Sequence, residues 1–295
     1  MKKIPLAAAL TLGLLALAPR LEAQVRVELR VPRRLYMSYE PVVVTIGITN
    51  MSGHDITLQD ADGQKWCGFE IQAADGRLVP PNDQQSGLVP VTIPVGGTIK
   101  RSANLASLFP IGDFGMYHVR ASVYYAEGRR FYGSGNTTIE IAEGKLLWQQ
   151  TVGIPEGKQG AGGQRVLSLL SFRLERDNRL YVRVEDKEAG LIYATQQLGP
   201  IISNNSPQAE IDRSNQLHIL QLVGLKTYFY TKIGLNGETL DQQTYHAVTS
   251  HPNLRKRESG EVAVVGGQID LPVASNPVQS GPKLSDRPAG FPVAR

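Results

Sequence analysis

From Gln24 to about Ala142 apolar and polar positions alternate with a period of two, and turn-forming residues recur at short spacing. Val42, Val44, Ile46 and Ile48 alternate with Val43, Thr45, Gly47 and Thr49, and the run ends at Asn50-Met51-Ser52-Gly53. Such a segment turns one face to a core and the other toward solvent, and the Asn/Ser/Gly cluster reverses the chain. Tyr117, Val119, Ala121, Val123 and Tyr125 alternate in the same way with His118, Arg120, Ser122 and Tyr124. Further strands are expected at Val25–Val31, Ile56–Asp60, Trp66–Gln72, Val89–Ile93, Thr98–Leu105 and Arg130–Ile141. About seven to nine short strands in such a length, separated by Pro and Gly, predict an all-β antiparallel sandwich over residues 24–143.

Within that region Asp113-Phe114-Gly115-Met116-Tyr117-His118-Val119 resembles the Asp-x-Gly-x-Tyr-x-Cys corner of immunoglobulin-like domains. Tyr39-Glu40-Pro41 before a valine-rich strand, Asn50-Met51-Ser52-Gly53 after it and the turn Gly96-Gly97-Thr98 are similar to bacterial immunoglobulin-like modules, including the proteinase-inhibitor type. The resemblance implies a structural corner of Asp113, Gly115 and Tyr117, with the Tyr117 hydroxyl tied back to backbone. Val119 stands where such domains carry their second disulfide cysteine.

Residues 144–165 shift in composition toward glycine and read as a linker. Beyond them an ungapped offset of 37 brings Asn178-Arg179-Leu180-Tyr181-Val182 onto Asn215-Gln216-Leu217-His218-Ile219, and Leu191-Ile192-Tyr193 onto Tyr228-Phe229-Tyr230. This register predicts a duplicated antiparallel β-meander over 166–269, with a degenerate third copy near Ser259–Gly266. The repeats are similar to propeller blades, but two or three copies fall short of the about four that close a propeller. The Pro-rich residues 270–295 are expected to be disordered.

The N-terminus alters where this fold is expected to work. Met1-Lys2-Lys3 precedes an uncharged apolar run from Ile4 to Ala18, followed by Pro19-Arg20-Leu21-Glu22-Ala23, the layout of a signal peptide cleaved after Ala23. The run is shorter than the ~20 residues of a spanning helix. The expected location is therefore the periplasm or the extracellular space, with no stable membrane insertion after cleavage. Loss of residues 1–23 lowers the formal charge from +4 to +2, which argues against nucleic acid as a partner. The single Cys67 excludes a disulfide scaffold within the chain.

Candidate chemistry is sparse. No two of the five histidines have the spacing that places a metal-binding pair on one helical turn. Asp60-Ala61-Asp62-Gly63 opens like a calcium loop but lacks the later ligands and reads as a hairpin turn. No Gly-x-Ser-x-Gly elbow is present, and Gly157–Gly163 lacks the pattern of a phosphate-binding loop. Cys67, on an apolar register with Phe69 and Ile71, reads as a buried inert thiol. No catalytic residue, metal or cofactor is thus implied. Trp66 and Tyr124 fall on outward registers and form the candidate binding surface. These features predict an exported, non-catalytic interaction or scaffold protein whose partner is another envelope or extracellular protein. The alternatives are a secreted hydrolase acting on polysaccharide or peptide, and a proteinase inhibitor.

Overall fold

The computed structural model describes residues 24–82, 89–158, 160–175, 177–202 and 205–270; the expected leader and residues 271–295 of the expected tail lie outside them. The chain is nearly all β and divides into two compact units, residues 1–200 and 201–295.

The first unit opens with β1 (Val25–Arg30), β2 (Leu35–Met37), β3 (Val43–Asn50), β4 (Ile56–Leu58), β5 (Cys67–Ala73), β6 (Val91–Ile93) and β7 (Thr98–Asn104). A single helical turn, α1 (Leu105–Leu108), capped by the Asn104 side chain, leads to β8 (Gly115–Tyr125), β9 (Arg130–Gly133) and β10 (Thr137–Ala142). Three sheets result: β1-β3-β7, β2-β10-β8-β5 with β9 added to β8, and the pair β4-β6. All pairs are antiparallel except β10 with β2. The period-two pattern explains the core: Val44, Ile46 and Ile48 of β3 are buried, whereas Val43 is 45% exposed. Ile46 and Ile48 pack with Val27, Ile56, Trp66 and Val123 at one end of the sandwich, and Val44 packs with Ile71, Phe109, Tyr117 and Val119 at the other. Each such aliphatic side chain contributes about 1.5–3 kcal/mol by leaving water. Asn50 ends β3 because its buried amide donates to the carbonyls of His54 and Ile93 while its oxygen accepts from the Ser52 N–H, an Asx turn.

Residues 144–165, read as a linker, instead carry β11 (Lys145–Gly153) and a turn that delivers the chain into β12 (Gln164–Leu174). The glycines lie mostly in that turn, with Gly157, Gly160 and Gly162 at positive φ, so they mark a hairpin connection and not a break between domains. β13 (Asp177–Asp186) and β14 (Leu191–Pro200) complete a four-stranded antiparallel sheet in sequence order. Leu170, Phe172 and Tyr181 of this sheet bury Met37 of the sandwich, which explains why the compact unit runs on to Pro200.

The second unit contains β15 (Gln208–Ile211), β16 (Leu217–Leu222), β17 (Thr227–Ile233), β18 (Thr239–His246), β19 (Asn253–Lys256), β20 (Val262–Val265) and β21 (Gln268–Ile269). β15 to β18 again pair in sequence order, with β21 on β18, while β19 and β20 form a hairpin. The segments aligned by the offset of 37 fall on β13 and β16 and on β14 and β17, and the division between units falls between their two sheets.

Candidate functional site

Neither ring proposed as a binding surface is on one. Trp66 is fully buried in the sandwich core. Alternation fixes a face only inside a strand; β5 begins at Cys67, and the bend at Trp66 turns the ring into the same core as Cys67. Its N–H is held by the Asp60 carboxylate at 2.9 Å, and its carbonyl accepts from the Tyr124 N–H at 2.9 Å. Tyr124 is 5% exposed because β9 folds back beside it: Phe131 packs on its ring at 4.8 Å, and its hydroxyl donates to Asp62 at 2.8 Å. Asp62 and Gly63, both at positive φ, form the two-residue Asp-Gly turn between Ala61 and Gln64. At the predicted corner, the Tyr117 hydroxyl donates to the Asp113 carbonyl at 3.0 Å, and Gly115 takes a φ of 138°.

The residues that do assemble a site lie where the β2–β3 turn meets β13 and β14. In the turn Met37–Glu40 the Glu40 N–H donates to the Met37 carbonyl, and Tyr39 has a φ of 64°. That left-handed position ordinarily takes Gly or Asn and costs a tyrosine about 1–2 kcal/mol. Nor is the strain offset by burying the ring, which is 48% exposed. What holds the turn is a set of polar contacts beneath it. Glu40, 3% exposed, accepts the Met37 N–H at 2.6 Å on one carboxylate oxygen and pairs the other with Arg33 at 2.6 Å. Arg33 also donates to the Tyr181 hydroxyl at 3.2 Å, and that hydroxyl donates to Gln197 at 3.1 Å. Burial alone would lower the Arg33 pKa, but the Tyr181 hydrogen bond and the Glu40 charge outweigh it and raise it; burial pushes the Tyr181 phenol up to about 12. Arg183 donates to the Ser38 carbonyl and hydroxyl at 2.7 and 2.8 Å and to the Thr195 hydroxyl at 3.2 Å. Its guanidinium lies 5.3 Å from the centre of the Tyr39 ring. The ring also lies against Gly112, where any Cβ would collide with it.

Beside Tyr39 opens a cleft of about 360 Å³, walled by Phe109, Pro110 and Ile111 of the sandwich and by Ile192, Tyr193 and Thr195 of β14. Tyr193 is 41% exposed and carries the Arg165 guanidinium 4.0 Å from its ring centre. Arg165 is itself buried and paired with Asp186 at 3.0 Å. Two partly exposed tyrosines, each backed by an arginine fixed from behind, have the composition of an energetic centre in a binding interface. A second groove, about 860 Å³, lies by Arg33, Arg34, Glu140, Asp177, Arg179 and Gln197 and mixes charges of both signs. The sequence marks Tyr39 only within the segment Tyr39-Glu40-Pro41 that precedes β3; its distinguishing feature, a large aromatic at a position that favours glycine, is visible once φ is known.

Among its described residues the second unit holds a buried polar cluster. His218 of β16 is 3% exposed. Its Nε2 contacts Asp212 at 3.0 Å and its Nδ1 the Tyr230 hydroxyl at 2.8 Å. Asp212 also accepts from the Ser214 and Gln216 N–H groups and lies 3.4 Å from Lys232. Burial would raise the Asp212 pKa, but the hydrogen bonds from His218, the backbone and Lys232 together lower it; burial lowers His218 and raises Tyr230. The phenol therefore stays protonated and donates its hydrogen bond to Nδ1, and Nε2–H faces the carboxylate. These groups satisfy one another inside the sheet, an arrangement that fixes packing. Cys67 is buried, and its thiol is pushed up to about 11 by burial, far from the range of a reactive thiolate. Among the described residues no group of three or more His, Cys, Asp or Glu is placed to hold a metal ion.

No family model matches the chain, and no curated protein matches it. Among solved structures, the chain is similar to the sporulation control protein Spo0M from Bacillus subtilis at 12% identity, covering 58% of this chain and 83% of that one with a TM-score of 0.28.

Proposed function

We propose that this is an exported, non-catalytic interaction protein of the cell envelope that engages another protein through the cleft between Tyr39 and Tyr193. The observation that carries the reading is Tyr39: a half-exposed ring held in a strained backbone by a buried Glu40–Arg33–Tyr181 network. Strain kept by its surroundings at an exposed aromatic points from structure to recognition. Export is supported by the charged start and apolar run of residues 1–23. An immunoglobulin-like sandwich followed by a blade-like meander supplies the frame of the first unit, an organisation supported by the Tyr117–Asp113 hydrogen bond and the sequence-order sheet β11-β12-β13-β14.

The test is a crosslinked pull-down from the envelope of the producing cell with tagged wild-type protein and Tyr39→Gly. Glycine keeps the turn and removes the ring, so capture of a defined protein by the wild type and its loss in the variant is expected. Equal capture by both would move the function away from this cleft.

A further inference from the structure

In the second unit, exposed aliphatic side chains gather on the turns at one end of its strands. The four-residue turn Gly224–Thr227 joins β16 to β17, and the Val223 N–H donates to the Thr227 carbonyl at 2.9 Å. Its central residues are Leu225 and Lys226, where hairpins ordinarily carry Asn, Asp, Gly or Ser. Leu225 is 94% exposed, so its side chain gives the fold almost no buried area. The Ala247 N–H donates to the Lys226 carbonyl at 2.8 Å, which sets Val248, 64% exposed, on the adjoining turn after β18. The Gly267 N–H donates to the Ser250 hydroxyl at 3.2 Å and draws in the turn that follows Val265, the exposed last residue of β20.

Charge is divided along the same axis. Residues 222–228, 245–253 and 264–269 contain no Asp or Glu, and Asp270, which follows them, is paired with His246 at 2.9 Å. The turns at the other end of the strands hold Asp212, Glu238, Glu258 and Glu261. Lys226 is exposed beside Leu225 at the end without free acids. Aliphatic tips next to a cation complement an anionic and deformable surface, whose headgroups accept the ammonium while the side chains enter the acyl boundary. A protein partner calls for a shaped pocket with aromatic or arginine anchors, and this end presents separate aliphatic tips.

We propose that this end of the second unit docks reversibly on the surface of an anionic lipid bilayer, with Leu225 and Val248 entering the interface and Lys226 meeting lipid phosphate. The contact is peripheral: among the described residues no helix is long and apolar enough to cross a membrane. It concerns the second unit alone and does not depend on the cleft of the first.

The test is flotation of the processed protein, residues 24–295, with vesicles of phosphatidylcholine and of phosphatidylcholine mixed with phosphatidylglycerol. Binding to the mixed vesicles is expected, and Lys226→Gln should weaken it about fivefold. Leu225→Ser should weaken it about tenfold, and adding Val248→Ser should abolish it. Leu240→Ser, an exposed site at the opposite end of β18, should leave it unchanged. Because Cys67 is buried, an environment-sensitive dye can be placed on Leu225→Cys alone; its emission should shift to the blue on the mixed vesicles. Absence of wild-type binding to the mixed vesicles, equal binding by Leu225→Ser, or an equal loss in Leu240→Ser would overturn the proposal. So would a wild-type oligomer in ultracentrifugation that Leu225→Ser disperses, or an envelope protein captured through Leu225 without vesicle binding, since either gives these tips to a protein surface.

Discussion

Replacing Tyr39 separates backbone strain from side-chain contact. Tyr39→Ala keeps a Cβ in the left-handed conformation and removes the ring from Arg183 and Gly112. The lost guanidinium stacking is about 0.5–1 kcal/mol at a partly exposed site, and the buried half of the ring contributes about 1 kcal/mol more. Tyr39→Gly loses the same contacts but relieves about 1–2 kcal/mol of left-handed strain, reduced by about 0.4–1 kcal/mol because glycine also loosens the unfolded chain. The glycine variant should therefore be more stable than the alanine variant by about 0.5–1 kcal/mol, and less stable than wild type by about 0.5–1.5 kcal/mol. In a unit of this size that corresponds to about 1–4 °C in Tm, resolvable by calorimetry and by urea melts of the three proteins in parallel. An alanine variant as stable as the glycine variant, or more so, would show that position 39 is not strained and would remove the main support for the proposed function.

Four further outcomes follow from the same contacts. Arg33→Met leaves the 3% exposed Glu40 carboxylate without its cation and should cost about 3–5 kcal/mol, whereas Glu40→Gln keeps an acceptor for the Met37 N–H and should cost about 1–2 kcal/mol; urea melts showing the reverse order would refute the network. Trp66→Ala should destabilise the sandwich by about 3–5 kcal/mol in thermal melts, and an unchanged Tm would place the ring outside the core. Cys67 should resist iodoacetamide at pH 8 until denaturant unfolds the chain, and rapid native labelling followed by mass spectrometry would contradict its burial. Unfolded His218 takes up a proton near pH 6.5, but the buried ring does so only at lower pH, and Asp212 is depressed likewise. Between each pair of values the unfolded chain binds more protons, so the stability of the second unit should fall as pH drops below about 6.5, and again below about 4. Urea melts from pH 7.5 to 3 on wild type and His218→Gln test this, and an identical slope in both between pH 7 and 5 would exclude His218 as the source.

Much of the architecture was legible because a two-residue period is a direct imprint of a half-buried sheet. Val44, Ile46 and Ile48 turn inward together for that reason, and the segments aligned by the offset of 37 fall on strands of two sheets whose meanders pair in sequence order. The pattern failed where its premise did. Trp66 precedes its strand, so alternation does not govern it, and Tyr124 lies on the outer face of β8 but is covered by β9, which no local pattern announces. Leu146, Leu147 and Trp148 opened a strand beside a glycine-rich stretch, and the composition of the turn concealed the ladder it connects. His218 and Tyr181 occupy one repeat position, yet each is buried with different partners: Asp212 and Tyr230 for one, Arg33 and Gln197 for the other. Polar partners separated by 148 residues, as Arg33 and Tyr181 are, leave no mark in either sequence neighbourhood.

The energetics of the turn accord with the recognition role proposed for it. A buried ion pair is often no more stabilising than apolar side chains of the same volume, because desolvation opposes the attraction. Glu40 and Arg33 therefore gain the fold little that two well-packed aliphatic residues would not provide. What they add is direction: the carboxylate fixes the Met37 N–H, the guanidinium fixes Tyr181, and Arg183 fixes both oxygens of Ser38, so the intervening residue has one conformation left. A turn that served only to reverse the chain would relax with glycine at position 39 and would need no charge beneath it. Here the residue is a tyrosine, strained and half in solvent, set beside a cleft. Rigid placement of an exposed ring lowers the entropy lost when a partner closes on it, and that gain is realised only if a partner does.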